Sequence, residues 1–335
     1  MAVFLSESDV KSAIKMPEAL ATVEAGFRDY ALGQATLLPR ISHPLPGTGG
    51  IFRILAATLP IQKMFGLKTL TGIPGNRLEN EIYFVILLFE MGGGALRAVV
   101  SANYLTGLRT GAASGVAAKY LAREDASTLG VVGAGRQAWY QAEALATIRE
   151  IRSAKVCSRD KRNAEALALR LRQSFSIDAV AVESAEEAVR GSSLVIAATT
   201  ASSPVIEAAW LEPGTHVSSI GANSRTKREL DAACFALGCV VADSRDQVLD
   251  ECGDLRDAID AGVVGPEVIS AELGELAASL KPGRTSQDEI TIFKSVGVAH
   301  QDIAVAASLF EVSQRSGLGT SVGSDGANLH TRVSP

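Results

Sequence analysis

The chain has few of the features that mark secreted, membrane-bound or nucleic-acid-binding proteins. Only four of its 335 residues are cysteine (Cys157, Cys234, Cys239, Cys252), with no C-x-x-C pair. That is too few for a disulfide framework, so a reduced, cytoplasmic setting is expected. Positive charge is not in excess: 32 Lys and Arg face 37 Asp and Glu, a net −5, so neither nucleic acid nor an anionic membrane is an expected partner. The longest apolar run, Ile82 to Phe89, falls far short of the ~18 residues of a spanning helix and reads as a buried strand. The start, Met1 to Asp9, reaches Glu7 and Asp9 at once and lacks a basic segment before an apolar one, so no export signal is expected. The four histidines (His43, His216, His300, His330) are scattered without metal-ligand spacing, and no metal is expected. A G-x-S-x-G match at Gly319–Gly323 has no strand before it and is set aside. Aromatics make up only 5%, yet 47% hydrophobic against 21% charged residues supplies ample core and excludes disorder.

The length fits one large domain or two ordinary ones. Residues 7–33 read as one or two amphipathic helices, with Ser6 or Ser8 as N-cap and Gly33 as stop. The period then changes, and strand-like runs at 51–56, 64–70, 82–89 and 95–100 are separated by Gly, Pro and Asn turns. An Ala-rich helix is expected from about Tyr104 to Arg123, with Arg109 near its start. From Ser127 strands and helices alternate: strands at 128–132, 154–157, 177–182, 194–198 and 217–220, helices at 137–150, 163–174 and 185–190. This is the signature of βαβ units and a parallel sheet. A strand at 289–294 leads into a last helix at 300–316, expected to return to the first domain. The acids Asp243, Asp246, Asp250, Glu251 and Asp254 read as a solvated helix face, and Cys252 lacks a His partner that would make it a nucleophile. The expected organisation is a domain over 1–122 completed by 295–317, a dinucleotide-binding domain over 123–294, and a flexible tail over 318–335.

Gly130-Val-Val-Gly133-Ala134-Gly135-Arg136-Gln137-Ala138 is a G-x-G-x-x-A placed after an apolar strand and before a helix. Gly133 allows the tight turn, Gly135 lets the backbone approach a pyrophosphate, and Ala138 permits close helix–strand packing. The helix N-terminus supplies unpaired N–H groups and positive potential. The next strand ends in Ser158-Arg159 rather than an acid, with Asp160 after it. A 2′-phosphate suits Ser158 and Arg159, so NADP is expected over NAD.

Four further segments join the fingerprint: Leu38-Pro-Arg40, Gly66-Leu-Lys68-Thr, Leu108-Arg109-Thr110-Gly-Ala-Ala-Ser114, and Gly221-Ala-Asn223-Ser-Arg-Thr-Lys227-Arg-Glu229-Leu-Asp231. With Phe293-Lys-Ser-Val-Gly297 they resemble the ornithine cyclodeaminase/mu-crystallin family over about residues 1–316. The resemblance implies an α/β fold: a Rossmann-type doubly wound parallel sheet domain plus an α+β substrate and dimerisation domain formed from both chain ends. It also implies a homodimer and a small amino or imino acid as substrate. Arg40, Lys68 and Arg109 would hold the substrate carboxylate, a role that suits a planar guanidinium. Lys68 lies mid-strand among apolar residues, where burial would lower its pKa and fit it for proton transfer. Thr110 would face the pyrophosphate or nicotinamide, and Thr199 and Val296 complete the expected cofactor contacts.

One departure bears on activity. Where cyclodeaminases resembling this chain carry an Asp, it has Asn223, and an amide cannot serve as a general base. The expected function is therefore an NAD(P)H-dependent reductase of small α-imino acids (pyrroline-2-carboxylate, piperideine-2-carboxylate or iminosuccinate), reversible as an L-amino-acid dehydrogenase. Lys68 would act in catalysis, and Asn223 would hydrogen-bond substrate or nicotinamide. The alternatives are an ornithine or lysine cyclodeaminase with tightly bound NAD, and a non-enzymatic protein that binds NADP or a small ligand.

Overall fold

A computed structural model describes residues 2–73 and 82–323. In chain order, β1 (Ala2–Leu5) leads into α1 (Glu7–Ala13) and α2 (Met16–Ala31). Strands β2 (Thr36–Leu37), β3 (Ile41–Leu45), β4 (Gly50–Leu59), β5 (Met64–Gly72), β6 (Ile82–Glu90) and β7 (Leu96–Ser101) follow, then α3 (Asn103–Leu121). The alternating part runs β8 (Thr128–Val132), α4 (Arg136–Ile148), β9 (Ser153–Cys157), α5 (Lys161–Phe175), β10 (Asp178–Ala181), α6 (Ala185–Val189), β11 (Leu194–Ala197) and β12 (His216–Ser219). It continues through β13 (Gly238–Ala242), α7 (Arg245–Glu251), α8 (Gly253–Asp260), β14 (Ile269–Glu272), α9 (Leu273–Ala277) and β15 (Ile290–Lys294). The described chain closes with α10 (Ala299–Ser316) and β16 (Thr320–Val322).

These elements form two compact units. The first takes residues 2–22, 32–73, 82–109 and 298–323, and the second takes 23–31 and 110–297. The first unit is built on an eight-stranded sheet in the order β16-β1-β7-β6-β5-β4-β2, with β3 pairing β4. Every pairing in it is antiparallel except β1 with β7. Alternation decides the faces. Leu55, Ala57, Leu59, Lys68, Ile86, Leu88, Ala98 and Val100 are buried, and α10 packs on β4, β5 and β6 through an apolar stripe that includes Ile303, Ala307 and Phe310. Residues at the intervening positions, Leu67, Val85, Leu87 and Val99, are less covered.

The second unit is an eight-stranded parallel sheet, β10-β9-β8-β11-β12-β15-β13-β14. Its strands are apolar on both faces because both are covered. Leu129, Val131, Leu194 and Ile196 join Ala138, Ala142 and Leu145 of α4 and Leu167 of α5 in one core. Val195, Ala197, Val217, Val240 and Ile292 pack with Leu230, Phe235, Val248 and Leu255 in the other. The strand order reverses between β8 and β11, which makes a topological switch point at their carboxyl ends.

The sequence expectations miss some elements and misjudge one. The short strands β1, β2, β3 and β16 and the segment from β13 to α9 were not anticipated, because each is too short for a period to emerge. Thr320–Val322, expected within the flexible tail, pair with Ala2–Phe4 of β1; the rest of that tail, from residue 324, lies outside the described residues. The acid cluster is not one solvated face. Asp246 and Asp250 on α7 are exposed, but Asp243, ahead of α7, and Asp254 of α8 are buried beside hydrogen-bond donors.

The first unit also positions the helix that carries Arg109. Glu7 of α1 reaches across to the start of α3, where its Oε1 accepts from Asn103 N–H at 2.7 Å and its Oε2 from Tyr104 N–H at 2.9 Å. The same carboxylate accepts from Ser101 Oγ at 2.8 Å. It satisfies orphan donors of the first turn and lies at the positive end of the helix. Glu7→Ala is expected to cost about 1–2 kcal/mol, seen as a lower denaturant midpoint. A midpoint unchanged within error would remove this cap from the account.

Candidate active site

Two constellations of polar side chains stand out, one in each unit. In the first, alternation along β5 turns Lys68 inward, against α10, where it is 1% exposed. The first turn of α10 presents Asp302 to it, with Lys68 Nζ donating to Oδ2 at 2.6 Å. Arg109, from the first third of α3, donates from Nε to Oδ1 of the same carboxylate at 2.9 Å and from Nη1 to Gln301 Oε1 at 2.7 Å. Phe84 of β6 places its ring 5.5 Å from Lys68 Nζ. The result is a buried Lys–Asp–Arg bridge.

Burial pushes the Lys68 pKa down from 10.5 to about 7, and the Arg109 guanidinium acts in the same sense. Asp302 opposes both by attraction and hydrogen bonding, while Arg40 adds a further lowering. Arg40 thus lies close enough to act on Lys68. His300, two residues before Asp302, is fully buried and held to about 3 by desolvation, so it stays neutral near neutral pH. Lys68 is the group in this cluster poised to change charge there.

Gln301 and Asp302 escaped the sequence reading. Their signal is visible in retrospect: Val298-Ala-His300-Gln-Asp302-Ile-Ala-Val-Ala-Ala places three polar residues in a row inside an apolar helix. A helix buried on nearly every side has to find partners for such residues.

In the second unit, Gly133 has φ +99°, a conformation that L side chains rarely adopt, and its N–H donates to Cys157 O at 2.8 Å. Gly135 is the N-cap of α4 with no side-chain hydrogen bond, and a Cβ built on it would meet open space. Ala134, Gly135, Arg136 and Gln137 therefore border an open cradle at a helix N-terminus, the geometry that holds a pyrophosphate. The Gln137 amide oxygen is buried without a hydrogen-bond partner. These residues fit a dinucleotide.

Ser158 and Arg159 follow β9, and Arg159 is exposed. Asp160 is occupied as the N-cap of α5: Oδ1 accepts from Arg162 N–H at 3.0 Å, and Oδ2 pairs with Arg162 Nη2 at 2.8 Å. Thr199 follows β11, Asn223 follows β12 and Val296 follows β15, all at carboxyl ends of strands. Asn223 Oδ1 accepts from Lys227 Nζ at 3.2 Å, a partner the sequence reading did not assign. Thr110 is tied to α4 through its carbonyl, which accepts from Gln141 Nε2 at 3.0 Å. Val296 is buried, and its N–H donates to Asp243 Oδ2 at 3.1 Å. Among the described residues no cluster of His, Cys, Asp or Glu could hold a metal ion, and no helix is long and apolar enough to cross a membrane.

Because Asp302 opposes the depression of the Lys68 pKa, Asp302→Asn is expected to move the Lys68 midpoint further below about 7. An NMR titration of the lysine Cε and Nζ resonances reads this, and an unchanged or raised midpoint would contradict it. The linked stability effect has a definite sign. Below about pH 7 folded and unfolded chains both hold the proton; between there and 10.5 only the unfolded chain does, so Lys68 makes stability rise with pH across that window.

The sequence profile of the ornithine cyclodeaminase/mu-crystallin family matches residues 1–317. The chain is 37% identical over 323 residues to the alanine dehydrogenase of Archaeoglobus fulgidus, covering 95% of this chain and 97% of the relative. Its fold superimposes with a TM-score of 0.92 on the Thermococcus litoralis Delta(1)-pyrroline-2-carboxylate reductase in complex with NADH and L-proline, at 36% identity, covering 96% of this chain and 100% of that one. An archaeal alanine dehydrogenase dimer with bound NAD follows at a TM-score of 0.90 and 36% identity, covering 96% and 98%. By sequence over nearly its whole length and by fold, this chain belongs to the ornithine cyclodeaminase/mu-crystallin family.

Proposed function

We propose that this protein is an NAD(P)H-dependent reductase of small α-imino acids, reversible as an L-amino-acid dehydrogenase. The observation that carries the reading is the buried Lys68–Asp302–Arg109 bridge in a chain whose second unit offers a dinucleotide cradle. Relatives that span the chain reduce pyrroline-2-carboxylate or oxidise alanine, according to their names. Asn223 argues against cyclodeamination, since its amide cannot take a proton.

Arg40, Lys68 and Arg109 bind the substrate carboxylate, with Asp302 and Gln301 fixing the Arg109 guanidinium through Nε and Nη1. A bound NAD(P)H would supply the hydride needed at the imine carbon. Lys68 Nζ, with a pKa near 7, gives its proton to the imine nitrogen and takes one back from the amine in the reverse direction. Asn223 orients substrate or nicotinamide by hydrogen bonding. Gly133, Ala134, Gly135, Arg136 and Gln137 would hold the pyrophosphate, and Thr110, Thr199 and Val296 would contribute further cofactor contacts. NADPH is preferred over NADH, because Asp160 is engaged by Arg162 while exposed Arg159 and Ser158 suit a 2′-phosphate.

The domain division follows from this reading: residues 1–122 with 295–317 serve substrate binding and dimerisation, and 123–294 serve the cofactor. The protein acts as a homodimer. Its support is the outward face of the first unit's sheet, where Leu67 lies opposite Leu87, Leu87 opposite Val99, and Phe65 stacks on Phe89 with ring centroids 5.2 Å apart. Tyr83 is 50% exposed on the same face.

The deciding experiment follows reduced-nicotinamide absorbance on adding pyrroline-2-carboxylate, piperideine-2-carboxylate, or pyruvate or oxaloacetate with ammonia, each with NADPH and NADH. Consumption with at least one imine is expected; silence across the panel, with ammonia released from ornithine or lysine instead, would overturn the reading. The reduction rate should fall as pH rises through about 7 and amine oxidation should rise, since Lys68 must be protonated for one and neutral for the other. Lys68→Met should remove this limb and slow turnover roughly 10²–10⁴-fold. Arg159→Ala should raise KM for NADPH while leaving KM for NADH within about 3-fold; equal effects on both would assign Arg159 to the surface alone.

A further inference from the structure

Glu229 is fully buried in the second unit, a few residues beyond Asn223. Its carboxylate accepts five hydrogen bonds. Oε1 takes Thr199 N–H at 2.6 Å and Thr199 Oγ at 3.0 Å. Oε2 takes Gly221 N–H at 2.7 Å, Ser219 Oγ at 2.9 Å and Ala222 N–H at 3.3 Å. One oxygen therefore holds the loop that leaves β11, and the other holds the loop that leaves β12.

The anchor is itself fixed. Asp254 Oδ2 accepts from the Glu229 and Leu230 N–H groups at 3.1 and 3.2 Å. Fully buried Lys294 pairs with the same oxygen at 2.9 Å and donates to Ser219 Oγ at 2.6 Å. Desolvation lowers the Lys294 pKa, but the combined pull of Asp254 and Glu229 and the Asp254 hydrogen bond raise it overall, so this cation stays charged.

Position gives the arrangement its meaning. A doubly wound sheet binds a dinucleotide across its switch point, one mononucleotide on each half. The group at the ribose 2′ position is read at the end of β9, so the adenosine belongs to the β8–β10 half. The β11–β12 half is left for the nicotinamide ribose, and the two loops that Glu229 joins stand at its carboxyl end.

We propose that Glu229 is a positioning residue for the nicotinamide half of the dinucleotide, holding the Thr199 and Gly221–Asn223 loops in one register. The proposal rests on the reading of the second unit as an NAD(P) site. A glutamine cannot do the same work, because its NH₂ would face N–H donors of one loop or the other and release that loop.

The test is calorimetric titration of wild type and Glu229→Gln with two ligands: whichever of NADH or NADPH the wild type binds more tightly, and the matching fragment without nicotinamide (ADP-ribose or 2′-phospho-ADP-ribose). Glu229→Gln should lose at least 10-fold in affinity for the dinucleotide and less than 3-fold for the fragment. Equal losses, or none, would overturn the proposal, since general damage to the fold weakens both alike. If Glu229→Gln does not fold, Ser219→Ala removes one Oε2 donor and should show the same bias at about 3-fold; no bias there overturns the proposal as well. A wild type that binds neither ligand would sink the NAD(P) reading itself, whereas tight wild-type binding with unbiased losses sinks only the role of Glu229.

Discussion

The charge on Asp302 is the constraint around which the first unit is arranged. Lys68 and Arg109 are both almost wholly removed from water, between a sheet and a helix of mostly apolar residues. An ion in such surroundings costs several kcal/mol unless it is paired and hydrogen-bonded. A single carboxylate, entering on α10, compensates two cations that come from β5 and α3. Two cations to one anion leaves an excess of positive charge, which adds to burial in depressing the Lys68 pKa. The bridge thus offsets part, and not all, of the cost of burying the Lys68 charge.

The second unit repeats the device with different content. Glu229 gathers the donors of two loops, and Asp243 gathers Ser295 Oγ at 2.7 Å, Val296 N–H at 3.1 Å and Gly297 N–H at 2.6 Å. Loops at the carboxyl ends of parallel strands leave many N–H groups without ladder partners. A buried carboxylate accepts several of them at once, which a hydroxyl or an amide cannot do. In this protein acids are the organisers of loop geometry, and bases meet them from neighbouring strands.

The parts of this arrangement that depend on local pattern were legible in the sequence. The alternation after Ser127, the glycine turn at Gly133–Gly135 and the helix carrying Arg109 all follow from spacings within one or two elements. Lys68 was picked out by the family resemblance, and its apolar neighbours on β5 pointed to its lowered pKa. What escaped depends on residues brought together from afar. Asp302 pairs with a lysine 234 positions earlier, and no local spacing encodes that meeting. Asp243 and Asp254 were misread for the same reason: a run of acids looks solvated until Lys294 and the Ser295–Gly297 amides are placed beside them. Short edge strands such as β2 and β16 carry too few residues for a period, and only their pairing defines them.

The pairing of β16 with β1, and of Asp302 with Lys68, has a consequence for biosynthesis. Translation at about 5–20 residues per second separates the emergence of Lys68 from that of Asp302 by roughly 10–50 s. For that interval β4, β5 and β6 lack α10, and an ammonium on their inward side lacks its counterion, so it favours a hydrated, open sheet. In the second unit β8 to β12 follow one another in the chain, but β15, which lies between β12 and β13, emerges only just before α10. Both sheets therefore become complete together, as the segment from β15 to α10 clears the ribosome.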